Sequence, residues 1–220
     1  MKRISAYFIS LLIFSCFGAA TGQDTISYNP KIRVAADIFG PVYYIADKNL
    51  LSLEGFLSVD FDTNKAAVIE IGYLDYIYSQ YNYDFLSSGY FMRLGVDFNT
   101  LKSGTSQGKY YAGIGLRYGL SIFRAETPFL EHENYWGSVT GFAPPETSAA
   151  HFIELSPGIR TELFRNVSIG WTIRLRILVY SGTGKDLKSI YIPGYGNGTK
   201  VFSPGINYYI IWSIPYRKAK

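Results

Sequence analysis

The segment that decides the fold is residues 90–98, which read Tyr-Phe-Met-Arg-Leu-Gly-Val-Asp-Phe. Large apolar residues occupy every even-numbered position, whereas Arg93, Gly95 and Asp97 stand between them. Successive side chains of a β-strand point to opposite faces, so a period of two makes one face apolar and the other polar. The segment therefore predicts a strand with one apolar face and one charged face.

Seven further segments repeat this period of two. They are residues 32–38, 53–61, 67–73, 110–122, 153–163, 167–177 and 206–216. Together with residues 90–98, they predict eight strands in one domain. Eight is an even number, so both ends of the chain return to the same side of the predicted sheet.

The lengths of the connections between these segments alternate. Turn-forming residues join the second strand to the third at 62–65 and the sixth to the seventh at 164–166. Longer segments lie between the first and second strands (40–51), the fifth and sixth (125–150) and the seventh and eighth (180–200). Short turns at one end and long loops at the other are typical of outer-membrane barrels. We therefore predict an all-β fold, an eight-stranded antiparallel up-and-down transmembrane β-barrel.

The composition excludes several classes of protein. The chain has 220 residues, of which 48% are hydrophobic and 17% charged, against roughly 25% charged in soluble domains. One cysteine excludes a disulfide framework and a cysteine-rich zinc site, and two histidines leave little room for a histidine metal centre. We predict neither a cofactor nor a metal. The net charge of +4 is too small to indicate a nucleic-acid partner.

Residues 1–22 have the features of a secretory signal peptide. Lys2 and Arg3 precede an apolar run over residues 4–17, and small residues follow at 20–22. We predict cleavage before Gln23, which leaves residues 23–220 as the barrel domain. Cys16 offers an alternative, because the residues before it weakly resemble a lipobox, in which case Cys16 would be lipidated.

The charged residues indicate which face of each strand points inward. The lysines of the mature chain fall in predicted loops, turns, strand margins or tails, whereas arginines lie on strand faces. An enclosed polar interior favours arginine, whose planar group can bind two carboxylates. Unpaired buried charges cost several kcal/mol each, so we predict ion pairs across a lumen too narrow to conduct. The predicted lumen charge network consists of Arg33, Asp37, Glu54, Asp60, Glu70, Arg93, Asp97, Arg117, Glu154, Arg160, Glu162, Arg174 and Arg176. The alternative is an exposed sheet face with scattered charges.

The order of motifs resembles a family of small exported Bacteroidota proteins that form outer-membrane β-barrels and carry a domain of unknown function. The resemblance rests on residues 36–38, 41–50, 113–121, 135–137, 154–164, 171–175 and 191–195. Gly-Leu-Arg-Tyr-Gly at 115–119 is the most distinctive of these motifs. The resemblance implies an outer-membrane location and implies no activity.

Candidate catalytic and ligand-binding motifs are weak. His151 is the one candidate base at the external rim, but the residue two positions along the same face is isoleucine, not serine. His132 lies in Glu-His-Glu on the longest loop, where a solvated charged loop is favoured over a metal site. Residues 181–186 lack the flanking residues of a phosphate-binding loop. We therefore predict no catalytic residue.

The best candidates for recognition are aromatic residues in the longest external loop, namely Phe129, Tyr135, Trp136 and Phe142. We expect them to pack onto the rim and close the barrel mouth, or else to contact a partner. The prediction is a monomeric, non-catalytic outer-membrane protein with a structural or surface-interaction role. Its partners would be outer-membrane lipid and, through the loops, an extracellular protein or glycan. The alternatives are a lipid-modifying enzyme at the rim, a soluble lipid-binding β-barrel and a conducting pore.

Overall fold

The computed structural model describes residues 30–101, 109–135, 137–182 and 189–216. The predicted signal peptide, including Cys16, lies outside the described residues, and so does Trp136. The boundary between signal peptide and barrel domain therefore stays a prediction.

Within the described ranges the chain forms long strands, one short helix and a small hairpin. In chain order these are β1 (Lys31–Asp37), α1 (Phe39–Ala46), β2 (Leu50–Asp62), β3 (Lys65–Gln80), β4 (Tyr83–Asn99), β5 (Tyr110–Asn134), β6 (Gly137–Phe164), β7 (Val167–Ser181), β8 (Tyr191–Ile192), β9 (Gly196–Asn197) and β10 (Phe202–Pro215).

The eight long strands close into a barrel. Their order around the ring is β1-β10-β7-β6-β5-β4-β3-β2, and the hairpin β8–β9 forms a separate two-stranded sheet. β1 closes the ring by pairing antiparallel with β10, from Lys31 opposite Pro215 to Asp37 opposite Tyr209. The predicted fold class, an eight-stranded antiparallel up-and-down barrel, is confirmed.

The two ends of the barrel differ. One end, which we call the turn end, holds the β2–β3 and β6–β7 connections and both ends of the described chain. Asn166 in the β6–β7 turn has a φ of 69°, a left-handed conformation that asparagine tolerates better than most residues. The opposite end, the loop end, holds α1 and the β8–β9 hairpin.

The apolar face of each strand points away from the barrel axis. Ile71, Leu116 and Trp212 are more than half exposed, whereas the inward residues Glu70 and Arg117 are buried. An eight-stranded barrel is just wide enough for side chains to fill its interior. The outer surface is therefore a continuous apolar band, and the interior contains the charged side chains.

Glycines on the inward face make room for large side chains. A Cβ atom at Gly119 would lie 2.3 Å from the ring of Phe152, and one at Gly115 would lie 2.4 Å from the carboxylate of Asp97. Both distances are far below van der Waals contact. Alternating glycine along β5 thus allows the aromatic and charged groups of neighbouring strands to fill the narrow lumen.

The predicted loop at 125–150 is wrong, because β5 and β6 continue through it as a paired hairpin. The two strands remain in register up to Asn134 opposite Gly137, with shifts near Thr127. Most of residues 137–147 are exposed, so no face of this extension is buried and the period of two disappears. The predicted loops at 40–51 and 180–200 also contain ordered elements, namely α1 and the β8–β9 hairpin.

Candidate functional site

The centre of the lumen contains a cluster of four arginines and four carboxylates. Its members, which we call the central cluster, are Arg93, Arg117, Arg174, Arg176, Glu54, Glu70, Asp97 and Glu154. They come from six different strands, β2 to β7. Equal numbers of cations and anions make the cluster formally neutral, which burial in a narrow lumen requires.

Arg174 is the residue that joins most of the cluster. Its Nη1 lies 2.9 Å from Glu70 Oε2, and its Nη2 donates to Glu54 Oε1 at 2.5 Å. It also donates to Glu154 and to the hydroxyl of Tyr209. The side chain is fully buried. One guanidinium thus connects three strands that carry carboxylates.

The other arginines complete the network. Arg93 Nη1 lies 2.8 Å from Glu70 Oε2 and 3.0 Å from Glu54 Oε1. Arg117 Nη2 contacts Asp97 Oδ1 at 3.0 Å, and Arg176 Nε contacts Glu154 Oε2 at the same distance. The inward face of every strand from β2 to β7 therefore contributes a charge to one connected set.

A second ion pair closes the turn end. Arg33 on β1 donates to Asp60 on β2 through Nη1 and Nη2, with 2.7 Å between Nη2 and Oδ2. The backbone N–H of Lys31 donates to the same carboxylate at 3.1 Å. The ammonium group of Lys31 lies 3.7 Å from Glu162. This pair and its neighbours link β1, β2 and β6 below the central cluster.

The structure does not bring all thirteen predicted network residues together. Arg160 stacks on the ring of Tyr111, with 4.9 Å between the guanidinium carbon and the ring centroid. Asp37 accepts hydrogen bonds from backbone N–H groups, of Gly40 at 2.9 Å and Tyr208 at 3.2 Å. Among the described residues, neither forms an ion pair with the central cluster.

Sequence reasoning did not assign roles to several inward residues that contact the charges. Tyr209 binds both Arg174 and Glu54 through its hydroxyl, and Ser156 binds Arg117 and Glu154. Tyr111 covers Arg160. All three lie on the polar parity of their strands, so the period of two already places them in the lumen. Their hydrogen-bonding partners depend on the register between strands.

The β8–β9 hairpin plugs the loop end of the lumen. Arg93 Nη2 donates to the carbonyl of Gly194 at 2.8 Å, and Arg176 Nη1 donates to the carbonyl of Tyr195 at 3.1 Å. Tyr195 is fully buried and packs against Phe152, with ring centroids 5.6 Å apart. The central cluster therefore also holds the hairpin that covers it.

The expectation that the loop aromatics close the barrel mouth is wrong for Tyr135 and Phe142. Phe142 is 76% exposed and Tyr135 is 92% exposed on the extended β5–β6 hairpin, whereas Phe129 is half-buried. Trp136 lies outside the described residues. The buried β8–β9 hairpin closes the mouth instead. The role of the four aromatics in recognition stays a prediction.

The described residues give no support for a metal site or a serine hydrolase. Within them, no group of three or more His, Cys, Asp or Glu side chains is placed to hold a metal ion. His151 faces outward, and its Nδ1 lies 2.6 Å from the hydroxyl of Tyr118. Its ring also lies next to that of Tyr180. His151 is therefore part of an outward aromatic group at the loop end.

No helix in the described part of the chain is long and apolar enough to cross a membrane.

Fold and interior together define a closed β-barrel with an apolar outer surface and a lumen filled by ion pairs. The chain belongs to a family described as a domain of unknown function, DUF6048, whose model matches residues 1–219. No curated protein matches the sequence significantly.

Two solved structures are similar to this chain at very low sequence identity. One is Neisserial surface protein A (NspA), with 11% identity, a TM-score of 0.41, and coverage of 88% of this chain and 100% of that chain. The other is CarO of Acinetobacter baumannii, with 9% identity, a TM-score of 0.36, and coverage of 89% and 100%.

Proposed function

We propose that this protein is an outer-membrane β-barrel without catalytic activity, which acts through its external loops in a structural or surface-interaction role. The observation that carries the proposal is the orientation of the strands. Apolar side chains surround the outside, and charged side chains fill the inside. Such a surface is compatible with hydrocarbon. A closed barrel also leaves few backbone N–H and C=O groups unpaired within the lipid.

The alternative of a soluble lipid-binding barrel requires the opposite orientation. Its apolar rows would have to meet in the interior to bind a lipid, but Ile71, Leu116 and Trp212 point outward.

A conducting pore would need an open lumen, whereas the central cluster and the β8–β9 hairpin occupy it. An enzyme at the rim would need a base with a nucleophile, whereas the hydroxyl on His151 belongs to a tyrosine.

The feature best suited to surface interaction is the extension of β5 and β6. β7 ends opposite Ala150, and β6 reaches thirteen residues further to Gly137, which corresponds to roughly 40 Å of extended strand. Val139 and Phe142 are exposed on this extension. Large exposed apolar side chains on a projecting element favour contact with a partner. The predicted partner classes are an extracellular protein or a glycan.

The location and orientation can be tested with an epitope tag. One variant carries the tag in the β5–β6 turn, next to Tyr135, and a matched variant carries it in the β2–β3 turn, between Thr63 and Asn64. On intact cells, an antibody should bind the first variant and not the second. Recovery of the protein in the soluble fraction, or equal binding to both variants, would contradict the proposal.

The role of the extension can be tested by shortening it. Residues 131–140 are replaced by Asn-Gly, which joins the paired residues Leu130 and Gly141 by a two-residue turn. The variant should assemble normally, as shown by heat-modifiable migration on a gel. It should lose binding of intact cells to glycan arrays or to surface proteins captured by cross-linking. Unchanged binding would show that residues 131–140 are not the interaction surface.

A further inference from the structure

The barrel wall has a gap at its loop end, between β2 and β10. β1 pairs with β2 no further than Ala36 opposite Gly55, and with β10 no further than Asp37 opposite Tyr209. Beyond these points, residues 50–54 of β2 pair only with β3, and residues 202–207 of β10 pair only with β7. Helix α1 stands where the missing part of β1 would be.

The gap opens within the height of the membrane. β1 has seven residues and rises about 23 Å along its axis at roughly 3.3 Å per residue. A strand tilt of about 35–45° reduces this to roughly 16–19 Å along the barrel axis, which is less than the apolar band of about 25 Å. The part of the gap next to the end of β1 therefore faces hydrocarbon. Consistent with this, Val42 and Ile45 of α1 are exposed and apolar.

Helix α1 covers the β2 side of the gap. Gly40 packs so closely on β2 that a Cβ atom there would lie 2.1 Å from the carbonyl oxygen of Ser52. Asp37 fixes the start of the helix, since it accepts hydrogen bonds from Gly40 and Tyr208. On the β10 side, Pro204 lies in the unpaired edge and has no N–H group to leave unsatisfied.

A cavity of about 490 Å³ lies at this gap. The residues around it include Phe39, Phe202 and Ile206, whose side chains face outward, and Arg93 and Arg176, whose side chains face the lumen. In an intact wall a cavity contacts one face, because alternate side chains are separated by the sheet. The volume falls within the range of about 300–1,000 Å³ that is typical of small-molecule sites.

Two cationic groups at the cavity keep hydrogen-bond donors for a ligand. Its lining contains Arg93, Arg176 and Lys200 together with Asp37 and Glu54. Backbone N–H groups hold Asp37, and Glu54 is bound by Arg174 and Tyr209. Lys200 has no ion pair among the described residues, and Arg176 uses Nε and Nη1 for Glu154 and Tyr195. Lys200 and the Nη2 of Arg176 are therefore the cationic donors that a ligand in the cavity can reach.

We propose that this opening is a lateral binding site for a single-chain amphiphile with an anionic head group, taken from the surrounding leaflet. The apolar chain lies against Phe39, Phe202 and Ile206, and the head group reaches Lys200 and the Nη2 of Arg176. The site rests on the membrane placement proposed above.

The test measures binding of cis-parinaric acid, a fluorescent fatty acid, to the full mature chain refolded in an uncharged detergent. We expect saturable binding that palmitate and hexadecyl phosphate displace, whereas methyl palmitate competes about tenfold less well, because it lacks the charge. Displacement by palmitate alone identifies a carboxylate ligand, and displacement by hexadecyl phosphate alone identifies a phosphate head group. Equal competition by methyl palmitate, or the absence of saturable binding, would overturn the proposal.

Two pairs of variants distinguish binding of cis-parinaric acid at this site from its partition into the detergent around the barrel. Lys200→Gln should weaken binding of cis-parinaric acid roughly three- to tenfold, and Lys65→Gln at the turn end should not change it. Ile206→Ser should weaken binding at least roughly threefold, because Ile206 is one of the residues around the cavity. Ile210→Ser is the control, on the same strand and the same outward face. Equal effects of the two serine variants would overturn the proposal. Because binding is measured in detergent, its failure is distinguishable from a failure of localisation in cells.

Discussion

Arg174 on β7 donates a hydrogen bond to Glu70 on β3 across the full width of the barrel, with 2.9 Å between Nη1 and Oε2. In the ring of eight strands, β7 and β3 stand at opposite positions. Both side chains are at most 1% exposed, so each depends on the other protein groups around it for solvation. The lumen at this level is a packed polar core that holds opposite walls together.

This contact predicts that Arg174→Met lowers the stability of the barrel more than the small change in side-chain volume suggests. The methionine fills a similar space, but Glu54, Glu70 and Glu154 lose the cation that they share. Removal of one partner from a buried ion pair costs about 3–5 kcal/mol. Urea unfolding of the refolded protein in lipid vesicles, followed by heat-modifiable gel migration, measures the change in the free energy of unfolding.

The control is Arg165→Met in the exposed β6–β7 turn, which should leave the unfolding midpoint unchanged. The double variant Arg174→Met with Glu70→Gln restores charge balance, so it should lose less stability than the two single changes added together. Strict additivity would show that Arg174 and Glu70 do not depend on each other.

At the turn end, Asp60→Asn should weaken the closure between β1 and β2. Asp60 binds Arg33 through both carboxylate oxygens and also accepts from the Lys31 amide. The amide of asparagine leaves the buried guanidinium without a charged partner, at a cost of about 1–3 kcal/mol or more. Asp62→Asn is the matched control, because Asp62 pairs with Lys65 in an exposed salt bridge that contributes about 0–1 kcal/mol. The same unfolding assay should separate the two, and equal midpoints would contradict the role assigned to Asp60.

The sequence predicts the parts of this structure in which one face of a strand is buried and the other is not. The alternation at residues 90–98 places Arg93 and Asp97 inside, and the same rule applies to Glu70 and Arg174 on other strands. The partners of each charge cannot be read from the period, because they depend on strand register and on which walls meet across the lumen. Arg160 shows this, since it has the correct parity but stacks on Tyr111.

No periodic pattern in the sequence indicates the elements at the loop end. Helix α1 lacks a side-chain N-cap and is apolar on most sides, so neither a capping pattern nor a polar face indicates it. The β8–β9 hairpin contains two residues per strand, which is too short for a period. Its position depends on contacts with Phe91, Arg93 and Phe152, which are distant in sequence.

The hairpin gives a third prediction, at Gly194. This residue has a φ of 73°, and a Cβ atom there would lie 2.4 Å from the ring of Phe91, so Gly194→Val should displace the hairpin from the lumen. The displacement can be measured at Ser189, which is 1% exposed. Ser189→Cys, in a chain without Cys16, should react slowly with a polar maleimide, and much faster once Gly194→Val is added. Gly141→Val is the control, because no atom lies near that position. Slow labelling in both valine variants would show that the hairpin stays in place.

The outward orientation of the strands gives the last prediction, on Ile173 in the middle of β7. Its side chain is partly exposed on the outer surface, next to the inward-facing Arg174. Ile173→Arg should reduce the stability of the barrel in lipid vesicles by about 2–4 kcal/mol, since it places a charge near the bilayer midplane. Val139→Arg introduces the same charge at another exposed apolar position, but on the β5–β6 extension, which lies in water if the barrel spans the membrane. The second variant should therefore assemble and unfold like the unmodified protein. If both variants lost the same stability, depth in the membrane would not be the cause, and the placement of the apolar band in lipid would be wrong.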